Sequence, residues 1–128
     1  MKFGVLGPLR VRTDAGVELV LRSRHQRTVL AALLLQAGAV VPVDRLVAAL
    51  WPERPPASYA SNLQTYVSRL RDRGVVIEHR GDGYLLRADA DEVDALVFQH
   101  EVAVGRAVLA AGDPGTAVDR FRRALRLW

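Results

Sequence analysis

Ser58, Asn62, Thr65 and Arg69 follow one another at the three- and four-residue spacing that gathers side chains on one side of a helix, and none of the four is acidic. An asparagine amide offers the paired donor and acceptor that match an adenine edge, an arginine fork grips guanine, and a threonine meets a thymine methyl or a phosphate. Arg71 and Arg73 close the same stretch, where guanidinium groups suit the neutralisation of phosphates. Arg80 opens the tight turn Arg80-Gly81-Asp82-Gly83, and an arginine at such a tip suits a narrow minor groove with its enhanced negative potential. Tyr66 falls at the edge of the polar row, as ready to pack as to touch a phosphate. Such a set suits reading a duplex rather than transforming a substrate, although a polar row of this kind also describes a plain solvated helix face.

The elements that must position these groups follow from periodicity. Residues 2 to 21 alternate short apolar runs with turn residues, which predicts three short strands and a hairpin loop at Asp14 to Gly16. From Ser23, a predicted N-cap, Val29, Leu30, Leu33, Leu34 and Ala37 recur at helical spacing up to Gly38. Pro42 and Asp44 open a second helix through about Trp51, with Leu46, Val47 and Leu50 as its apolar stripe. Pro52, Pro55 and Pro56 forbid helix before Ala57. The third helix runs from about Ala57 to Arg73 and stops at Gly74; Ala60, Leu63, Val67 and Leu70 form its packing face, with the polar row opposite. Val75 to Glu78 and Tyr84 to Arg87 are strands around the arginine-tipped turn. From Asp94 the pattern is helical throughout, Leu96 to Leu109 and then Thr116 to Trp128, broken by the turn Gly112-Asp113-Pro114-Gly115.

Composition narrows the classes. The 128 residues are 50% hydrophobic and 25% charged, the balance of a globular chain. With no cysteine, disulfides, thiol nucleophiles and thiolate metal sites are excluded. The longest apolar run, Val29 to Leu35, falls far short of the ~20 residues a bilayer span requires, so a cytoplasmic protein without a membrane partner is expected. His25, His79 and His100 lack ligand-like spacing, no serine sits in a nucleophile elbow, and no glycine-rich stretch makes a phosphate loop. Neither a metal, a cofactor nor an enzymatic activity is expected. The formal charge is +4, but residues 1–88 hold 13 basic and 7 acidic side chains, whereas 89–128 hold 5 and 7. The acidic stretch Asp89, Asp91, Glu92 and Asp94 marks the join, giving expected domains 1–90 and 91–128.

Two short helices, a turn, a longer helix with a polar face and a basic hairpin make the layout of a winged helix-turn-helix domain. The order Gln26-Arg27, Val43-Asp44-Arg45-Leu46-Val47, Ala49-Leu50-Trp51, Pro55-Pro56, the run from Leu63 to Arg71, and Gly83-Tyr84-Leu85-Leu86 resembles the Streptomyces antibiotic regulatory protein family over essentially the whole chain. Its first part is similar to the effector domain of OmpR-type response regulators, whose wing pattern stands here as Arg80-Gly81-Asp82-Gly83-Tyr84. From about Asp91, the runs Asp91 to Leu96 and Leu109 to Pro114 resemble the start of a bacterial transcriptional activation domain, a tetratricopeptide-like helical module. The expected fold is therefore α+β, a winged helix-turn-helix with an N-terminal antiparallel sheet followed by tetratricopeptide-like helices.

The resemblance implies a transcriptional activator that binds direct repeats in double-stranded DNA upstream of promoters and recruits RNA polymerase holoenzyme, typically for secondary-metabolite clusters. Whether it forms a homodimer on DNA stays open. By position, Arg69 is implied to contact bases in the major groove, Arg71 the backbone and Arg80 the minor groove, while Asn62, Thr65 and Tyr66 lie where relatives face DNA. Asp72 departs from the family pattern and sets a negative charge near that backbone grip. The helical part holds roughly one helix pair, and stacked repeats do not bury their apolar faces singly. Ala117, Phe121, Ala124, Leu125 and Trp128 are thus expected to lie partly uncovered, pointing to a truncated gene product or to dimerisation. Arg24 and Arg27, early in the first helix, are divided between phosphate contact and local ion pairs. The alternative function is a protein-interaction module whose basic half is only an electrostatic surface.

Overall fold

The computed structural model describes all residues, 1–128, in the order β1 (Lys2–Gly4), β2 (Arg10–Arg12), β3 (Glu18–Leu19), α1 (Arg24–Leu34), β4 (Val41–Pro42), α2 (Val43–Leu50), α3 (Tyr59–Asp72), β5 (Val76–Arg80), β6 (Gly83–Arg87), a short 3-10 turn (Ala90–Glu92), α4 (Asp94–Ala110) and α5 (Pro114–Leu125). They divide into two compact units, Glu18–Ala88 and Met1–Val17 with Asp89–Trp128. No helix is long and apolar enough to cross a membrane.

The Glu18–Ala88 unit is an α+β winged helix. Ser23 caps α1 as its spacing predicts, accepting from the Gln26 amide at 3.3 Å. The helix nevertheless ends at Leu34, four residues before Gly38, because the chain turns to let the Gly38 amide donate to the Leu86 carbonyl at 3.0 Å. Val29, Leu30, Leu33 and Leu34 from α1, Leu46 and Leu50 from α2, and Leu63, Val67 and Leu70 from α3 close the core against Val41, Ile77 and Leu86. These branched aliphatic side chains sit one turn apart on three helices, so burying each helix's stripe assembles the other two around it.

The sheet of this unit has the order β4-β6-β5, antiparallel throughout. Its hairpin pairs Arg80 with Gly83 across the two-residue loop Gly81-Asp82. Gly81 takes φ +57° while Asp82 does not go positive, the pattern of a type II′ turn with glycine first. Gly83 is required for a different reason. A Cβ there would fall 2.7 Å from Val40 Cγ1 and into the Val41 carbonyl, so only glycine lets β6 approach β4 this closely. The hairpin tip in turn serves α2, whose cap residue Pro42 makes no side-chain bond: the Asp82 carbonyl accepts from the Val43 amide at 2.8 Å.

The second unit holds the antiparallel pair Lys2↔Arg12, Phe3↔Val11 and Gly4↔Arg10, with α4 packed along α5. All three opening strands were expected inside the first ninety residues; β1 and β2 group with the C-terminal helices, and β3 lies in the Glu18–Ala88 unit. The reason is local and polar. Phe3 bridges to Val93, the Asp94 carboxylate accepts from the Val5 amide at 2.8 Å and the Leu6 amide at 3.3 Å, and the Met1 amine pairs with Glu92 at 3.0 Å. The strand expected over Val17 to Leu21 shortens to Glu18–Leu19. In α5, Ala117 and Ala124 are buried rather than partly uncovered, whereas Leu125 at its end and Trp128 beyond it are 66% and 70% exposed. Gly105 of α4 is what admits Phe121, whose ring edge lies 2.5 Å from where a Cβ would stand.

Candidate nucleic-acid interface

Helix α3 buries Leu63, Val67 and Leu70, and everything else about its surface follows from that row. Ala60, expected in the same row, is exposed; at about 100° per residue it lies at the row's edge. Directly away from the core run Ser61, Thr65, Ser68 and Asp72, all exposed. Arg69 stands beside this row, exposed, with no hydrogen bond or ion pair inside the chain. A guanidinium with five donors and no partner, at the edge of an outward helix face, is available to an external acceptor. Ser61 and Ser68 were missed by the sequence reading, although their spacing to Thr65 was signal enough.

The remaining predicted residues take more defined places. Asn62 is half-buried rather than opposite the core, and its amide donates to Ser58 Oγ at 3.1 Å. The Thr65 hydroxyl donates to the Ser61 carbonyl at 3.0 Å, which uses its proton and leaves its lone pairs and methyl outward. Tyr66 lies on the flank with Asn62, and its hydroxyl meets His25 Nδ1 at 2.9 Å. The His25 ring is centred 5.2 Å from the Tyr66 ring and 5.7 Å from Trp51, so three rings from α1, the end of α2 and α3 meet at this edge. Of the two roles open to Tyr66, packing is thus occupied. His25 is its positioning partner, and no spacing rule links residues 41 apart.

On the opposite flank, Arg71 points about 160° away from Arg69 around the helix. Its Nε donates to the Ile77 carbonyl at 2.9 Å, tying the end of α3 to the first hairpin strand. Arg73 reaches the Val20 carbonyl. Arg27 makes no ion pair inside the chain: its NH1 donates to the carbonyls of Leu21 at 2.7 Å and Arg22 at 2.9 Å. Three arginines therefore spend donors on backbone oxygens that the irregular segment 20–22 and the strand edge leave open. At the hairpin, Arg80 pairs with Glu78 at 2.8 Å while remaining 53% exposed. Arg87 grips the same carboxylate, with Nε at 3.0 Å and NH2 at 3.3 Å. These bonds hold the Glu78 carboxyl below the usual glutamate range, the Arg87 contact contributing most.

The assembled surface is a helix with a hydroxyl-rich outer face and one free arginine, stiffened by an aromatic cluster on one flank and joined on the other to an arginine-tipped hairpin. No group of three or more histidine, aspartate or glutamate side chains gathers where it could hold a metal. Residues 17–86 match the family described as transcriptional regulatory protein, C terminal, and residues 93–128 match the bacterial transcriptional activator domain. Along its whole length the chain is 41% identical to regulatory protein AfsR of Streptomyces coelicolor and 37% identical to regulatory protein DnrI of Streptomyces peucetius. The chain belongs to the Streptomyces antibiotic regulatory protein family. It spans 13% of AfsR and 52% of DnrI, so it corresponds to one portion of those regulators. A solved structure of Mycobacterium tuberculosis EmbR, in complex with a low-affinity phosphopeptide, superposes on 99% of this family member with TM-score 0.93 and 34% identity, using 35% of the EmbR chain. The first family match begins at residue 17, next to the start of the Glu18–Ala88 unit, and the second lies wholly within the other unit.

Proposed function

We propose that this chain is the DNA-reading and transcription-activating portion of a regulator. In this reading α3 enters the major groove with Thr65 and Arg69 at base edges, the hairpin sets Arg80 in the adjacent minor groove, and the flanking arginines meet phosphates. Arg69 carries the proposal: it is an unpaired, exposed guanidinium beside the outward row of a helix whose opposite face is fixed by three buried aliphatic side chains. Asn62 and Tyr66 act at the flank, where Asn62 reaches a base or phosphate only by exchanging its Ser58 partner, and Tyr66 holds the helix against His25. Arg71 anchors the fold through Nε and keeps its terminal NH1 and NH2 for phosphates, whereas Arg73 anchors through NH2 and keeps Nε and NH1. Direct repeats upstream of a promoter are the proposed target, a secondary-metabolite cluster the proposed regulon, and RNA polymerase holoenzyme the proposed partner of the helical unit. The membership of AfsR and DnrI in the same family supports this assignment.

The test is fluorescence-anisotropy titration against the duplex upstream of the neighbouring gene cluster and a scrambled duplex of equal length, each at several salt concentrations. A DNA reader prefers the native duplex and loses affinity steeply with salt, with slope about −0.9 per neutralised phosphate. Equal, weak binding to both would reduce the basic unit to an electrostatic surface.

A further inference from the structure

The outer side of the hairpin carries two arginines that share one carboxylate. Glu78 and Arg80 lie two residues apart on β5, hence on the same side of the strand, and Arg87 sits opposite Val76 on β6, diagonal to Glu78. The two arginines hold Glu78 unequally. Arg87 presents Nε at 3.0 Å to one carboxylate oxygen and NH2 at 3.3 Å to the other, a two-point grip, whereas Arg80 offers a single NH2 at 2.8 Å. Fork-like pairs are the stronger and more directional kind. All three side chains are between 36% and 53% exposed, so exchanging one weak partner for another costs little.

We propose that Arg87 is a positioning residue for DNA binding: by retaining the Glu78 carboxylate, it lets Arg80 leave for the duplex. This rests on the reading that the hairpin tip meets a minor groove. Without Arg87, Arg80 becomes the only partner of Glu78. Its departure then strands an uncompensated carboxylate beside a polyanion, so Arg80 stays home. With Arg87 present, the carboxylate remains paired throughout, and the cost of releasing Arg80 is one exposed contact.

The experiment is a set of anisotropy titrations of the full chain on a short A·T-rich duplex. Arg87→Ala should weaken binding about 3- to 10-fold in the native background and no more than about 2-fold in a Glu78→Gln background. Both comparisons remove one positive charge, so the general electrostatic loss cancels between them. Glu78→Gln alone should tighten binding, and Arg87→Ala should cost no more than about 2-fold, the general loss of one charge, once Arg80→Ala is present. Equal losses from Arg87→Ala in both Glu78 backgrounds would overturn the proposal and make Arg87 a direct phosphate contact or a structural residue. If Arg80→Ala itself leaves affinity unchanged, the minor-groove reading fails, and this inference with it. Should Arg87→Ala not fold, Arg87→Lys keeps the charge but loses the fork; a partial loss that Glu78→Gln rescues supports the proposal, and an unrescued loss overturns it.

Discussion

The Glu18–Ala88 unit buries Leu30, Leu33, Leu34, Leu46, Leu63, Leu70 and Leu86 almost completely, whereas the covered apolar side chains of the other unit are Phe3, Val11, Val93, Ala117 and Ala124. In the second unit Leu109, Val118, Leu125 and Trp128 are all more than two-fifths exposed. The first is held by aliphatic volume. The second relies more on polar ties: Asp94 receives two backbone amides, Glu92 receives the Asp89 amide and the Met1 amine, Glu101 pairs with Arg120, and Asp113 caps α5. A winged helix must present one helix face at fixed geometry, and a core built mainly of leucines supplies that rigidity. A unit of stacked helices is bound by smaller contacts, each more sensitive to substitution at a single close approach or to pH.

The difference can be broken first at the leucine core. Leu33→Ala should cost the Glu18–Ala88 unit about 2 to 5 kcal/mol, the range for deleting a fully buried leucine side chain, read by denaturant titration. A loss below about 1 kcal/mol would mean the core collapses around the gap and the contrast is overstated. Next comes the presented face. Arg69→Ala should reduce discrimination between native and scrambled duplexes by about 1 to 3 kcal/mol with little change in melting temperature, because the residue is exposed and makes no hydrogen bond or ion pair inside the chain. Retained site preference would move the recognition face elsewhere on α3.

In the other unit, Gly105→Ala should lower thermal stability by about 1 kcal/mol net, overpacking against Phe121 exceeding the gain in helix propensity. A Phe121→Leu partner change should recover it, and stabilisation by Gly105→Ala alone would show that the ring yields freely. The smallest expected effect is acidic. The Asp89 amide, and after it the Met1 amine, hold the Glu92 carboxyl below its ordinary value of 4.5. Stability from this group is therefore present above that pH and lost as pH falls through the lower folded value, about 0.2 to 1 kcal/mol for so accessible a pair. Amide exchange around Asp89 to Glu92 should quicken over that window, and Glu92→Gln should flatten the dependence.

Much of the architecture was legible because its signals are local. Ser23 announces a helix start by the hydrogen bond its side chain makes within three residues, whereas Asp113, read as part of a turn, proves to cap α5 two residues earlier than expected. Leu63, Val67 and Leu70 announce a buried face by spacing, and Gly81 and Gly83 announce a hairpin by what other residues forbid. The α+β winged helix and the position of Arg69 on an outward face follow from these signals alone.

The tertiary structure decided what depends on partners distant in sequence. His25 claims the hydroxyl of Tyr66, the carbonyls of Ile77 and Val20 claim donors of Arg71 and Arg73, and Glu78 holds Arg80 together with Arg87. Met1–Val17 joins the C-terminal helices because Asp94 and Glu92 offer acceptors that only folding brings near. A residue type states which bonds a side chain is able to make. Which of those bonds it makes is settled by the acceptors that the packed chain leaves open within about 3 Å.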